Sequence, residues 1–315
     1  MLDNLLFSVN TVLPIFAVML AGFLLRRFGF LPESFFQYGN KLVFYGALPA
    51  SLFFSVYELD MGHFFDSRFV AFTVLSTFLS FLLLWGITEW TVKDKSVIGT
   101  MVQAGYRGNF AILGIPLLHN VIGVENSEKS LLVIGFVLPL YSIFSVVVLT
   151  IRSRNPEKID VKKILLHIVK NPLIISIAAG FLFVLLPFRL PGPAEQTVGL
   201  FQTLSTPLAL LCLGGSIQVR KADSRFRRSV VSSLIKTMVL PLIFVPAAYF
   251  LGFRSYDLTV ILIMFGAPTA VASYSMATEM GGDGEIAANA VIFSTFLSVF
   301  TLTAYIFLFR ALGFI

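Results

Sequence analysis

The 315-residue chain has one cysteine, Cys212, and three histidines, and Asp, Glu, Lys and Arg together make up only 13% of it. Each shortage excludes something. A single cysteine rules out an internal disulfide, and its place in an apolar run makes it packing material. His63, His119 and His167 lie far apart in different segments, so no metal-ligand cluster is readable. No lysine follows a glycine loop as in a phosphate-binding P-loop, which argues against ATP-driven work. Neither a Ser-His-Asp arrangement nor an HExxH helix is present, and GGDGE at Gly281–Glu285 reads as a turn. Soluble domains carry about a quarter charged residues, so the low charge is itself a signal.

Apolar residues take up the difference. The chain is 57% hydrophobic with a mean hydropathy of +0.88. A helix needs about 20 apolar residues to cross the hydrocarbon core. Runs of that kind lie near 5–25, 35–57, 67–88, 98–121, 130–151, 171–188, 194–218, 229–251, 257–279 and 286–309. The expected fold is an all-α integral membrane protein with ten transmembrane helices, because backbone groups in lipid must be satisfied within the segment. Phe-rich runs without alternation argue against a barrel. The start, MLDNLL, lacks a basic n-region and Arg26-Arg27 follow the first run, so that run reads as a span rather than a cleaved leader.

The net charge is +6, and its placement carries more information than its sum. Loops after odd-numbered spans hold Arg26, Arg27, Lys93, Lys95, Arg152, Arg154, Lys158, Lys162, Lys163, Lys170, Arg220, Lys221, Arg225, Arg227 and Arg228. Loops after even-numbered spans, with the C-terminal end, hold only Arg68, Lys129, Arg189, Arg254 and Arg310. The positive-inside rule then places the first set in the cytoplasm and both termini outside it. A multi-pass protein of the cell (inner) membrane is expected. The basic loops follow topology, so no nucleic-acid partner is implied.

The chain repeats itself. Pro14 and Pro172 stand 158 residues apart, as do AGFL at Ala21–Leu24 and AGFL at Ala179–Leu182, Pro49 and Pro207, and Val133 and Val291. A duplication follows, with residues 1–151 as the first five-helix repeat, 152–167 as a basic cytoplasmic linker and 168–315 as the second repeat. Five is odd, so the second repeat enters the membrane from the other side, an inverted repeat of the kind found in secondary transporters.

Two spans interrupt themselves. Gly114-Ile115-Pro116 in span four is matched, at an offset of 152, with Gly266-Ala267-Pro268 in span nine. Proline removes an N–H and clashes with the preceding turn, and glycine adds freedom. Both spans are therefore expected to break there, freeing carbonyls near residues 112–113 and 264–265. Paired breaks mark a transporter's binding site. The half-helices that begin at the prolines present free N–H groups and positive dipole ends, which favour anions. Asn109 lies about two turns before Pro116 and is expected to share its face. Gln103 is a weaker candidate. Thr269, Ser273, Tyr274 and Ser275 offer hydroxyls beyond Pro268. Among intramembrane charges, Lys41, Arg107 and Lys236 are functional candidates by default, although all three lie where a long side chain can reach the surface. Glu89 and Glu279 sit at span ends open to water, so no buried carboxylate proton relay is evident.

GNKLVFYGALP (Gly39–Pro49), GNFAILGIPLL (Gly108–Leu118), LCLGGS (Leu211–Ser216) and the run Ala267–Ser298 together resemble the auxin efflux carrier family, which includes plant PIN-type carriers and bacterial malonate-type permeases. The resemblance covers nearly the whole chain. It implies a bile-acid–sodium-symporter-like fold in which helices 4 and 9 cross at their prolines. Helices 1, 2, 6 and 7 would form a scaffold, often a homodimer, and helices 3–5 and 8–10 a moving transport domain. Carried over, Asn109, Pro116 and Pro268 would mark the substrate site at the crossing, with Lys41 facing it from the scaffold; the residues themselves add Gly114, Thr269, Ser273 and Arg107 as candidates for the same site. Plant carriers have a long loop between the halves, and here only the short basic link stands in that place.

The expected function is secondary transport of a small organic anion, a carboxylate such as malonate or an auxin-like acid, by elevator-type alternating access. No cofactor is implied, and H+ or Na+ could serve as coupling ion. An alternative is a sodium-coupled symporter of larger amphipathic anions. A sensor or enzyme on the same scaffold is disfavoured by the missing output domain and catalytic cluster. The topology is tested by placing a lone cysteine at Asn155 in a Cys212→Ser background. A membrane-impermeant maleimide should label it only in opened cells or inverted vesicles; labelling in intact cells reverses the orientation.

Overall fold

A computed structural model describes residues 2–59, 65–152, 161–186, 189–217 and 223–314. His63, Arg154, Lys158, Arg220 and Lys221, and with them residues 153–160 of the basic linker, lie outside the described residues. Among the described residues sixteen α-helices follow one another. They are α1 (Leu2–Arg27), α2 (Glu33–Leu42), α3 (Leu48–Tyr57), α4 (Ser67–Thr91), α5 (Ile98–Tyr106), α6 (Ile115–Ile122), α7 (Lys129–Leu132) and α8 (Leu138–Ile151). There follow α9 (Val161–Val169), α10 (Pro172–Leu185), α11 (Gly192–Ser216), α12 (Ser224–Leu234), α13 (Leu240–Phe250), α14 (Ser255–Gly266), α15 (Ala272–Glu279) and α16 (Gly284–Ala311). Among the described residues there is no strand, only one isolated β-bridge. Among the described residues five helical stretches are long and apolar enough to cross a membrane: Ser67–Thr91, Lys129–Ile151, Gly192–Ser216, Ser224–Phe250 and Gly284–Ala311. Phe110–Ile122, Pro172–Leu185 and Ser255–Gly266 are apolar and shorter.

Proline shapes the long helices without ending them. Single π-helical turns at Val43–Ala47, Phe110–Gly114, Val133–Val137 and Ile235–Val239 each run directly into a helix whose second residue is proline: Pro49, Pro116, Pro139 and Pro241. A proline cannot bond to the carbonyl four residues back, and its ring crowds that carbonyl. Widening the turn by one residue lets the neighbouring N–H groups bond to the fifth carbonyl back, and the helix continues. Gly114 N–H accordingly donates to Asn109 O at 3.4 Å.

Aspartates start several helices. Asp66, Asp223 and Asp283 each accept from two first-turn N–H groups of α4, α12 and α16, an N-cap contribution of about 1 kcal/mol each. In the turn before α5, the Ser96 hydroxyl donates to Asp94 at 2.7 Å and, with Arg228 nearby, holds that carboxyl below its ordinary range.

Packing divides the helices into two groups. α1 lies along α11, and α3 packs on α10 and α11. Separately, α5 packs on α4, α8 and α12, α12 on α16, and α13 on α14. Hydroxyls stitch the second group: Ser229 and Ser233 donate to the α16 carbonyls of Ile286 and Ala290 at 3.0 and 3.2 Å, and Ser232 donates to Met101 O at 3.2 Å. Such bonds suit helices packed in an apolar surround. Polar links between the groups include Asn40 Nδ2 to Glu279 Oε1 at 2.9 Å.

The α1–α11 contact is backbone on backbone. A Cβ added at Gly22 would collide with Leu211 O, and one at Gly214 with Met19 O. Gly214→Val should therefore lower stability by about 1–3 kcal/mol through overpacking, read as a lower melting midpoint of the detergent-purified protein. An unchanged midpoint would show that the two helices can separate freely.

Candidate functional site

The interruption in the first half lies elsewhere than at Gly114–Pro116. Helix α5 ends at Tyr106, and the next helical stretch starts at Phe110. The break is Arg107-Gly108-Asn109, and Pro116 sits within the continuing helix, exposed. Its ring is accommodated by the π turn. In the second half the break runs from Ala267 to Val271 and includes Pro268, as expected. Gly108 and Gly266 stand 158 residues apart, the register of the other repeats. The offset of 152 had matched the wrong glycine.

The two breaks cross as an antiparallel bridge between Gly108 and Thr269. Asn109 N–H donates to Pro268 O at 2.7 Å, and Ala270 N–H donates to Arg107 O at 3.1 Å. The Thr269 hydroxyl donates to Ala104 O at 2.7 Å, and its N–H to the Ser294 hydroxyl at 3.0 Å. Each unwound stretch thus satisfies backbone groups of the other, or borrows a side chain to do so. Buried backbone demands this, since an orphaned amide costs about 1–3 kcal/mol.

A cavity of about 130 Å³ opens beside the crossing. Its wall combines Arg107 to Ile112, Ala270 to Ala272, Tyr141 of α8, Ser51 of α3 and Ser205-Thr206 of α11. The helix starting at Phe110 and α15, starting at Ala272, both bring their N-terminal ends to this cavity, and neither has a side-chain cap. Their positive dipole ends favour an anion there, typically worth about 0.3–1 kcal/mol per helix end; in α15 the Ser273 and Tyr274 N–H groups already donate to Ala270 O and Val271 O at 2.9 and 3.0 Å. Among the described residues no carboxylate lines the cavity. Arg107 does, at 6% exposure. Its guanidinium donates to Met276 Sδ and to Ser142 Oγ, the latter at 3.3 Å, and has no acidic partner among the described residues. Asn109, 5% exposed, also lines the cavity, and its Nδ2 has no partner. A buried cation without a counter-charge and a buried amide without an acceptor are costly alone. One anionic ligand would satisfy both.

Of the residues singled out from the sequence, Arg107 and Asn109 therefore meet at the cavity. Pro268 and Thr269 build the crossing without lining it. Ser273 is buried one residue beyond the lining, its hydroxyl unpartnered. Gly114 is buried between Phe110 and Ile263, away from the cavity. Lys41 is exposed, its ammonium 5.6 Å from the Tyr38 ring centroid, and does not face the crossing. Gln103 is fully buried with neither side-chain atom partnered, and it is not part of this cavity's wall. Lys236 does not reach the surface: it is fully buried at the crossing. Sequence reasoning missed Ser51, Ser205 and Thr206. Their signal was proximity to Pro49 and Pro207, two prolines already on the repeat register.

A family profile described as a membrane transport protein matches residues 7–306. A Rhizobium meliloti protein named "Putative malonate transporter" is 24% identical over 95% of both chains. An uncharacterized transporter of Methanothermobacter thermautotrophicus is 22% identical, covering 94% of this chain and 96% of its own. Another, from Methanocaldococcus jannaschii, is 20% identical over 94% and 97%.

The position of the break separates two substitutions. A Cβ at Gly108 would press on Met264 O and on the Lys236 side chain, so Gly108→Val should cost about 1–3 kcal/mol. Pro116→Ala, at an exposed site, should change stability by less than about 0.5 kcal/mol. Paired thermal melts check this; the reverse order would return the break to Pro116.

Proposed function

The chain belongs to the membrane transport protein family, and from that premise we propose that it is a secondary transporter of a small organic anion, a carboxylate of the size of malonate. The family and the relatives are transporters, so the protein is a multi-pass membrane transporter and not an enzyme. The observation that carries the substrate class is the cavity at the crossing. Two uncapped helix N-termini, an unpaired Arg107 and a free Asn109 amide converge on it, with no acid in its wall. Its volume of about 130 Å³ is below the roughly 300–1,000 Å³ of sites for drug-sized ligands. That favours a few-carbon acid over the larger amphipathic anions of the sodium-symporter alternative. The name of the Rhizobium relative points the same way.

In this reading the chain has ten crossings in two inverted five-helix repeats, residues 1–151 and 168–315, with the termini outside the cytoplasm. The shared 158-residue register of Gly108 and Gly266 supports it. The packing of α1 and α3 with α10 and α11 supports a scaffold of helices 1, 2, 6 and 7, which would pair as a homodimer. The second packing group, from α4 to α8 and α12 to α16, would move past it as an elevator. The cavity lies between them: Ser51 and Ser205 come from the first group, Arg107 and Asn109 from the second.

Thermal shift of the purified protein against a series of carboxylates tests the reading. Malonate at about 100 times its Kd should add about 2.7 kcal/mol of stability. Asn109→Ala should weaken that response by about tenfold and Arg107→Gln by more, as neutral and charge-assisted hydrogen bonds are lost. Indifference of the wild-type protein to malonate and its small homologues would remove the proposed substrate class.

A further inference from the structure

Lys236 lies at the C-terminal end of α14, in the π turn between α12 and α13, and is fully buried. Its ammonium donates to Phe265 O and, at 3.4 Å, to Met264 O. These carbonyls are orphans for identifiable reasons. The helical partner of Met264 O would be the N–H of residue 268, which is proline and has none. The partner of Phe265 O would be Thr269 N–H, which donates to Ser294 instead. The last helical bond at this end is Ala267 N–H to Ile263 O, at 2.8 Å. Two bare carbonyls at the negative end of a helix dipole form a cation site. In transporters with broken helices, such carbonyls hold the coupling ion. Here a side chain of the protein's own fills that place. Lys236 has no acidic partner among the described residues, so the carbonyls and the dipole are what hold its charge. It also touches the crossing: a Cβ at Gly108 would lie 3.2 Å from Nζ, and Gly108 lines the anion cavity.

We propose that Lys236 is a tethered cation at the crossing, occupying the carbonyl site that a diffusible coupling ion would otherwise take, so that anion binding and transport need no sodium at this place. The proposal rests on the transporter reading for its role in transport. The occupancy of the carbonyl site stands on its own geometry. Removing the ammonium should open a site for a free cation, which a merely structural lysine would not do.

The experiment uses the full-length protein in detergent and in liposomes, comparing sodium, methylammonium and choline chlorides. The wild-type melting midpoint and its initial rate of malonate uptake should be the same in all three. Lys236→Ala should melt lower in choline and regain stability, saturably, with methylammonium or sodium. Its malonate uptake in choline should fall by about tenfold, the scale of a lost charge-assisted hydrogen bond, and recover with the same cations. Lys236→Met, which keeps the stem without the charge, should lose uptake but offer less room for rescue. Saturable stabilisation of the wild type by sodium over choline overturns the proposal, and this measurement decides if neither variant folds. A folded Lys236→Ala with no response to methylammonium or sodium overturns it as well. Absence of malonate uptake by the wild type counts against the malonate reading alone, because the melting measurements still decide the cation site.

Discussion

The structure depends on one constraint: in an apolar interior every opened backbone group must find a partner. Two helices are opened at the centre of the fold, at Arg107–Asn109 and Ala267–Val271. They satisfy one another through the Gly108–Thr269 bridge, and what the bridge leaves over is taken by Thr269, Ser294 and Lys236. Unwound backbone at such depth is tolerated only where protein or a cavity can serve it. The crossing supplies both. It also fixes where helix ends of opposite polarity meet, and so fixes the electrostatics of the site.

The charges follow from that polarity. At the C-terminal end of α14 the Lys236 ammonium takes the carbonyls of Met264 and Phe265, whereas the Arg107 guanidinium, just past the end of α5, turns to Met276 and Ser142. The N-terminal ends, at Phe110 and Ala272, have no capping side chain. The negative end of α14 is thus neutralised from within, whereas the two positive ends are left without a capping side chain at the cavity. Under the proposed reading a small anion would meet Arg107 there, with no carboxylate among the described residues of the cavity wall. The division of packing into two groups adds the second requirement of a carrier, since the cavity is walled by both.

Much of this was legible in the sequence. The apolar runs pointed to an all-helical chain, and Gly108 and Gly266 share the 158-residue spacing of Pro14 and Pro172. Arg107 and Asn109 stood out as polar residues where apolar ones were expected. The reading failed where a local rule was applied without its neighbours. Gly114-Ile115-Pro116 looked like a break because proline usually disrupts a helix, but a π turn absorbs Pro116 as it absorbs Pro49, Pro139 and Pro241. Gly108, on the repeat register, was the better guide. Lys41 and Lys236 were misread in opposite senses, because whether a long side chain reaches inward depends on what packs around it.

The amino-acid sequence by itself determined the helical, membrane-suited character of the chain, the interruption of helices in both halves, and the presence of the polar residues Arg107 and Asn109 at the first. Those properties follow from hydropathy, from proline's missing N–H and from spacing, all of which are local or periodic. Only the tertiary structure decided which residues close the crossing, that Lys236 turns inward to the carbonyls of Met264 and Phe265, and that Ser51 and Ser205 share a cavity with Asn109. These depend on contacts between segments far apart in the chain, and there the need to satisfy each buried polar group outweighs the preference of any single helix.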